Sequence, residues 1–371
     1  MTVTAVPIRP GTDETHRSTP RPRFGTRVGW LLPVGVGRVA IWQLAVLAVL
    51  ATGFRLALPT GLVLAFAALL LAATSVRIGG HCAYQWAAIF VRYRYRRRRR
   101  GAADQPAPTA VHSLAPRLLV QTQTDRLGNR AGVAAVGDET GYTAVVQIAP
   151  TAQPDPAMLV SALHRAFDRA DNPVSGARLV GWAAPVGPAP VRVYWLALRY
   201  RYADAPWPAL ARGGGAAGGR RAAASAAQRL RSDLAEAGYP STVLDTPELY
   251  HALFVAIGAD RGAVSGSRYH AQESWRDWSV GQVRQACFTP RAAADQVRLI
   301  GLCAPGASFT CTAYALRRTA QGRVTATTTV RIGLPSSAPY TPGQVAAKLG
   351  VRLLATNGRH REHVLATLPL A

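Results

Sequence analysis

Residues 56–76 read LALPTGLVLAFAALLLAATSV, twenty-one residues without a charge between Arg55 and Arg77. At 1.5 Å of rise per residue, such a helix is about 30 Å long, the thickness of a bilayer core. Upstream, Val39–Phe54 is a second uncharged run of sixteen residues. It is lengthened by Leu31, Leu32 and Val34, or by Arg55 snorkelling to the interface. Only the residues around Gly53 to Thr60, Pro59 among them, remain for a turn. The pattern therefore predicts a two-helix transmembrane hairpin over residues 31–77. Two adjacent runs this poor in polar residues are hard to place in a soluble core. A signal peptide does not fit either, because the first run starts too far in and the second follows at once.

The arginines set the expected topology. Arg21, Arg23, Arg27 and Arg38 precede the first run; Arg77, Arg92, Arg94 and Arg96 to Arg100 follow the second; the turn holds Arg55 alone. Positive charge stays on the cytoplasmic side. The expectation is an inner-membrane protein with two spans and both termini cytoplasmic. The net charge is +24, and fifteen arginines against Asp13 and Glu14 place +13 of it in residues 1–100. About half of the basicity thus accompanies the apolar runs, so no specific nucleic-acid partner is expected. Lys348 is the one lysine, a bias of the kind GC-rich bacterial genomes impose. Cys82, Cys287, Cys303 and Cys311 have no C-x-x-C spacing, which argues against a zinc or redox pair and for small buried apolar residues.

Along the chain, residues 1–30 read as a disordered basic tail. In residues 78–116, Tyr84, Trp86, Ile89, Phe90, Tyr93 and Tyr95 interleave with Arg92, Arg94 and the run Arg96, Arg97, Arg98, Arg99 and Arg100, before an Ala/Pro linker. Aromatic residues beside arginine favour the headgroup region, so the first reading is an interfacial collar on anionic lipid headgroups. The second is a docking surface for a partner subunit. Residues 117–371 read as one cytoplasmic domain, α/β or α+β, with a mixed sheet that is at least partly antiparallel. Strands are expected at Leu118–Gln123, Tyr142–Ala149, Arg178–Trp182, Val191–Tyr200, Gln296–Cys303, Ser308–Arg317 and Arg323–Ile332. Helices are expected at Pro156–Ala170 behind Asp155, Arg220–Ala237, Thr246–Ile257 capped by Thr246, and Thr341–Leu349 capped by Thr341. No repeat of fixed period is visible.

Catalytic signals are sparse. Gly213, Gly215 and Gly218 satisfy G-x-G-x-x-G, but the preceding strand ends some ten residues too early for a dinucleotide fingerprint. The stretch reads as a flexible Gly/Ala loop. There is no P-loop motif and no G-x-S-x-G. His360 and His363 lack the spacing of a metalloprotease helix and are expected to be exposed. His164 and Asp168, four apart, suggest a surface hydrogen bond rather than a catalytic pair. No cofactor, metal or catalytic residue is predicted.

The layout resembles EccE, a membrane subunit of the type VII (ESX) secretion machinery of actinobacteria. The resemblance rests on the order of parts, on Ala83-Tyr84-Gln85-Trp86 leading into Arg92-Tyr93-Arg94, and on Glu273-Ser274-Trp275-Arg276-Asp277-Trp278. It implies a non-catalytic structural subunit working beside EccB-, EccC- and EccD-like partners, with the EccC-like ATPase doing the P-loop work. On that reading the contact candidates are Tyr84, Trp86, Phe90, Arg92, Tyr93, Arg94, Arg96 to Arg100, Trp275 and Trp278. For both tryptophans, core packing is the plainer role. The competing reading is a membrane-anchored enzyme such as an envelope-precursor transferase, which would need a carboxylate-lined cleft. A tethered nucleic-acid binder ranks third.

Overall fold

The computed structural model describes residues 42–47, 50, 58–78, 81–101, 110–124, 128–136, 141–150, 152, 154–187, 189–258, 271–319 and 322–370. The chain divides into two compact units, residues 1–75 and 76–371. In the first, residues 42–47 are helical and α1 spans Leu58–Ser75, eighteen residues. The indole of Trp42 donates to Thr74 Oγ1 at 3.0 Å.

Helix α1 corrects the membrane expectation. Among the described residues, no helix is long and apolar enough to cross a membrane. Pro59, Thr60 and Gly61 occupy the first turn and Thr74 and Ser75 the last. The unbroken apolar part, Leu62–Ala73, is about 18 Å long, well short of a bilayer core. A count of uncharged residues takes these polar ends as apolar and runs on to Val76, which lies beyond the helix. The two-helix transmembrane hairpin is therefore not supported, nor is the two-span location with both termini cytoplasmic that depended on it. Most of the first run, the predicted tail 1–30 and linker residues 102–109 lie outside the described residues.

The second unit opens with β1 (Arg77–Ile78) paired antiparallel to β2 (His81–Cys82). Helix α2 (Ala83–Gly101) follows, its start closed by Gln85 Oε1, which accepts from the Cys82 N–H at 2.9 Å. Next come α3 (Ala110–Leu114), β3 (Leu118–Thr124), β4 (Arg130–Val136) and β5 (Gly141–Ile148). They are followed by α4 (Pro156–Phe167), β6 (Gly176–Ala184), β7 (Val191–Arg201), α5 (Pro206–Leu210), α6 (Gly215–Glu236) and β8 (Ser241–Val243). Helix α7 (Thr246–Ile257) leads to β9 (Ala271–Glu273), β10 (Trp278–Val280), β11 (Val283–Pro290) and α8 (Asp295–Arg298). The domain closes with β12 (Phe309–Arg318), β13 (Val324–Pro335), α9 (Pro342–Ala347), β14 (Leu353–Ala355) and α10 (His360–Ala366).

These strands form one twelve-stranded sheet in the order β3-β4-β5-β7-β6-β12-β13-β11-β10-β9, with β8 added to β5 and β14 to β11. Every pairing described is antiparallel, not mixed as expected. The reason is a duplication. β5-α4-β6-β7-α6-β8 and β11-α8-β12-β13-α9-β14 are both β-α-β-β-α-β units, each with its third strand lying antiparallel between the first two. They join edge to edge through β6 and β12, so the sheet repeats about that seam. No fixed period betrays the repeat in sequence because α6 has twenty-two residues and its counterpart α9 has six.

Helices cover both faces. On one face α4 and α6 bury Leu159, Leu163, Phe167, Ala223, Ala227, Leu230 and Leu234 against Val146, Leu179, Leu196 and Leu198. Further along the same face, α9 and the turns around α8 close a smaller core on Val330, Ile332 and Leu334. The opposite face carries α3, α7 and the C-terminal segment 364–370 over Val145, Val180, Trp195, Cys287, Phe309 and Cys311. The caps have clear chemistry. Asp245, one residue before the predicted Thr246, forms a reciprocal capping box with Glu248 at 2.9 and 2.8 Å. Asp155 and Thr341 cap α4 and α9 as expected. Among the readings that change, β4 is an unforeseen strand, Gln296–Cys303 is a short helix and turns, and the Gly/Ala loop is the start of α6. A Cβ at Gly218 would strike the Ala209 carbonyl and one at Gly219 the Tyr142 ring, so close packing explains these glycines. Helix α5 separates them from β7, which leaves no strand-turn-helix fingerprint.

Two buried arginines tie helix ends to the sheet. Arg331 on β13 is fully buried and donates to the carbonyls of Ala256 and Ile257, at the end of α7, and to Gln285 Oε1 at 2.6 Å. Its guanidinium lies 5.3 Å from the centre of the Phe309 ring. Arg178 on β6 donates in the same way to the carbonyls of Leu368, at 2.8 Å, and Leu370. The helix C-terminus carries partial negative charge, so carbonyls here do the work of a counter-ion.

Candidate functional site

The predicted contact residues converge on the helix α2. Its sequence alternates aromatic and basic residues, but at 100° per residue Trp86, Ile89, Phe90, Tyr93 and Arg96 share one face. That face docks on the domain. Trp275 sits in the turn between β9 and β10, which is tightened by Ser274 Oγ on Asp277 Oδ1 at 2.6 Å. Around its ring stand Trp86, Phe90 and Tyr93, with centroids 5.9, 5.6 and 5.5 Å away at tilted or edge-to-face angles. Such pairs add about 1 kcal/mol each beyond the area they bury. Tyr93 is buried; His81 meets Trp86 edge-on at 5.5 Å. The Gly358 N–H donates to the Trp275 carbonyl at 2.8 Å, which fixes the turn against α10.

One turn beyond the aromatic residues, Arg96 completes the contact. Its guanidinium pairs with Glu362, donates to the Gly358 carbonyl and stands 3.9 Å from Glu273. Burial pushes the Glu362 carboxyl up, but Arg359 and Arg96 pull it down further, leaving it below the usual carboxylate range. Glu273 also accepts from the Arg361 N–H at 3.1 Å.

The other side of α2 faces outward. Arg92, Arg94 and Arg97 are exposed, as are Val91 at 65 % and Tyr95 at 54 %. Arg94 lies 5.9 Å from the Phe90 ring centre, and Tyr84 is half-buried. Arg98, Arg99 and Arg100 continue the helix, and their side chains lie outside what the structure describes. Trp278, named with Trp275 from the sequence, is buried to 2 % in the core and presents no surface. The sequence grouped these residues as contacts with membrane or partner subunits; in the structure Trp86, Phe90, Tyr93 and Trp275 meet one another within the domain, and nothing in the sequence singled out Gly358 or Glu362 as part of their seat.

Beside this junction His360 and His363, expected at the surface, are drawn in. His360 is fully buried and its Nδ1 accepts from the Cys287 N–H at 3.2 Å. Burial first, then the neighbouring His363, holds its pKa down to about 4. Burial and Arg359 hold His363 to about 4 as well. Among the described residues no group of three His, Cys, Asp or Glu stands close enough to hold a metal ion. Burial pushes the Cys287 thiol up to about 12, the state of an inert packing residue. His164 bonds Tyr314 at 3.0 Å and Asp168 stands 3.6 Å from Arg318, so they form no pair with each other.

The class of protein follows from a comparison with known families. Residues 189–289 match the family model described as "Putative type VII ESX secretion system translocon, EccE". Over these residues, a little more than a quarter of the chain, the sequence is similar to the EccE family. The matched stretch runs from β7 through α6 and α7 almost to the end of β11. It contains Glu273 and Trp275, the two residues of the β9–β10 hairpin that receive α2. No curated protein matches the chain.

Proposed function

We propose that this chain is a non-catalytic structural subunit of a type VII (ESX) secretion complex, and that the outward side of α2 binds neighbouring subunits. One observation carries the reading. An arginine-rich helix is seated on the domain by its aromatic face and keeps Val91, Arg92, Arg94, Tyr95 and Arg97 outside. A solvated basic helix needs no fixed seat, whereas a helix that presents a surface to a partner gains from being held. EccB-, EccC- and EccD-like subunits are the expected neighbours, and anionic lipid headgroups are a second ligand for the same arginines. The transferase alternative requires a carboxylate-lined cleft. Three clefts among the described residues, of about 630, 650 and 790 Å³, hold one carboxylate between them, Asp204. The test is gentle extraction of cells making the tagged full-length chain, with the co-purifying proteins identified. A P-loop ATPase and other secretion subunits in one assembly are expected. A lone monomer or homodimer, under conditions that keep other assemblies intact, would contradict the proposal.

A further inference from the structure

The seam between the two halves of the sheet ends in a basic cleft that is remote in sequence from α2. Strands β7, β6 and β12 are neighbours, and Gly176 on β6 lies opposite both Arg199 on β7 and Arg317 on β12. Directly opposed residues point to the same face, so two arginines flank a position without a side chain, their Cα atoms about 10 Å apart. Arg201, two residues beyond Arg199, joins them on that face. Pro173, Val174 and Ser175 form one wall, and Thr319 and Gly322 border the other end. The cavity is about 630 Å³.

Glycine at 176 answers to neither backbone nor packing. Its φ is not in the left-handed region, and a Cβ there would meet Leu316 O at 3.7 Å and Arg199 Cβ at 3.8 Å, ordinary contacts. What it does is leave no side chain between the two arginines at a buried position. The charge is also poorly balanced. Arg317 has no ion-pair partner among the described residues, and Arg201 has only Asp204 at 3.7 Å. Arg318, at the rim, is occupied by Asp168, the Phe167 carbonyl and the Phe167 ring. The excess reaches the interior: burial first, then Arg317 and Arg199, hold the Arg178 guanidinium down to about 9.

We propose that this cleft takes an acidic segment of a partner protein, with carboxylates pairing to Arg201 and Arg317 on either side of the side-chain-free position at Gly176. Guanidinium forks match carboxylates bidentately. Alternate side chains of an extended peptide lie about 7 Å apart, a spacing that lets successive carboxylates reach both arginines. The lining contains no aromatic residue on which a nucleobase could stack, which disfavours single-stranded nucleic acid. The site does not depend on the α2 surface, so either can fail alone.

The experiment is fluorescence anisotropy of the full-length chain with a labelled peptide of about eight residues, alternating Ser and Glu. The same peptide with Gln for Glu is the control. The Glu peptide should bind and the Gln peptide should not. Arg201→Ala/Arg317→Ala should weaken binding about tenfold, the worth of two partly exposed pairs. Gly176→Glu, which puts a carboxylate at that position, should do the same without removing an arginine. Arg92→Ala/Arg94→Ala on α2 should leave binding unchanged. Equal binding of both peptides, no loss in either cleft variant, or an equal loss in the α2 variant would overturn the proposal. So would displacement of the peptide by low-millimolar inorganic phosphate, or tighter cleft-dependent binding of a single-stranded oligonucleotide.

Discussion

The two β-α-β-β-α-β halves share a strand order and differ in what covers them. The N-terminal half is closed by its own helices, α4 and α6, through an apolar interface of Leu, Ala and Phe. The C-terminal half has only α8 and α9, of four and six residues. It is completed by pieces from elsewhere: α2, the Trp275 turn and α10. Those borrowed pieces are held in part by polar and aromatic groups, namely His360, Trp275 and Arg96, and Arg331 ties in the end of α7. Both units bury an apolar core, and the copy adds contacts that answer to charge and pH. The copy is also the half that presents α2.

Breaking the C-terminal half should begin with Arg331. Arg331→Met strands the Ala256 carbonyl and Gln285 Oε1, while the Ile257 carbonyl keeps its bond from Gln285 Nε2 at 2.7 Å, and the change is expected to cost about 3 kcal/mol in urea unfolding. A loss below about 1 kcal/mol would show that water replaces the guanidinium. Trp275→Ala removes the ring shared by Trp86, Phe90 and Tyr93 and is expected to cost about 3 kcal/mol. Hydrogen exchange should rise along α2 while β5, β6 and β7 stay protected. A uniform rise would mean that the halves do not differ in this way.

The pH response comes next. The folded pKa of His360, about 4, lies below the ordinary 6.5 of the unfolded chain. Its contribution is therefore complete above pH 6.5 and is lost as pH falls toward 4, with about 2 kcal/mol gone by pH 5. His360→Gln should flatten that dependence, and an unchanged slope would assign it to another group. The smallest effects should mark the contrast most finely. Arg96→Ala, which loses Glu362 and Glu273, and Arg169→Ala, which loses a two-oxygen pair with Asp233 at 2.8 Å, should each cost about 1 kcal/mol. Only the first should loosen α2.

The sequence showed six of the twelve strands of the large sheet, because Val191, Val193, Trp195 and Ala197 and their like alternate at period two. It showed the capped helices because Asp155 and Thr341 precede proline at the first helical position. The duplication was hidden, since its two copies have helices of very different length and only strand pairing reveals the match. The membrane hairpin was misread because Pro59, Thr60, Gly61, Thr74 and Ser75 are uncharged without being apolar. At the candidate site the aromatic and arginine residues of α2 were legible as a group. Of their seat only Trp275 was, because Glu273, Gly358 and Glu362 come together only through the fold of the C-terminal half. His360 looked exposed by its position near the chain end, and burial against Cys287 could not be read from neighbours in sequence.

The most direct measurement is co-purification of the secretion assembly with Val91→Glu/Arg92→Glu, two changes on the exposed side of α2. The variant should unfold at the same temperature as the unaltered chain and should no longer bring the other subunits with it. If it folds normally and the assembly still co-purifies in full, the outward side of α2 is not the surface that holds this subunit in place.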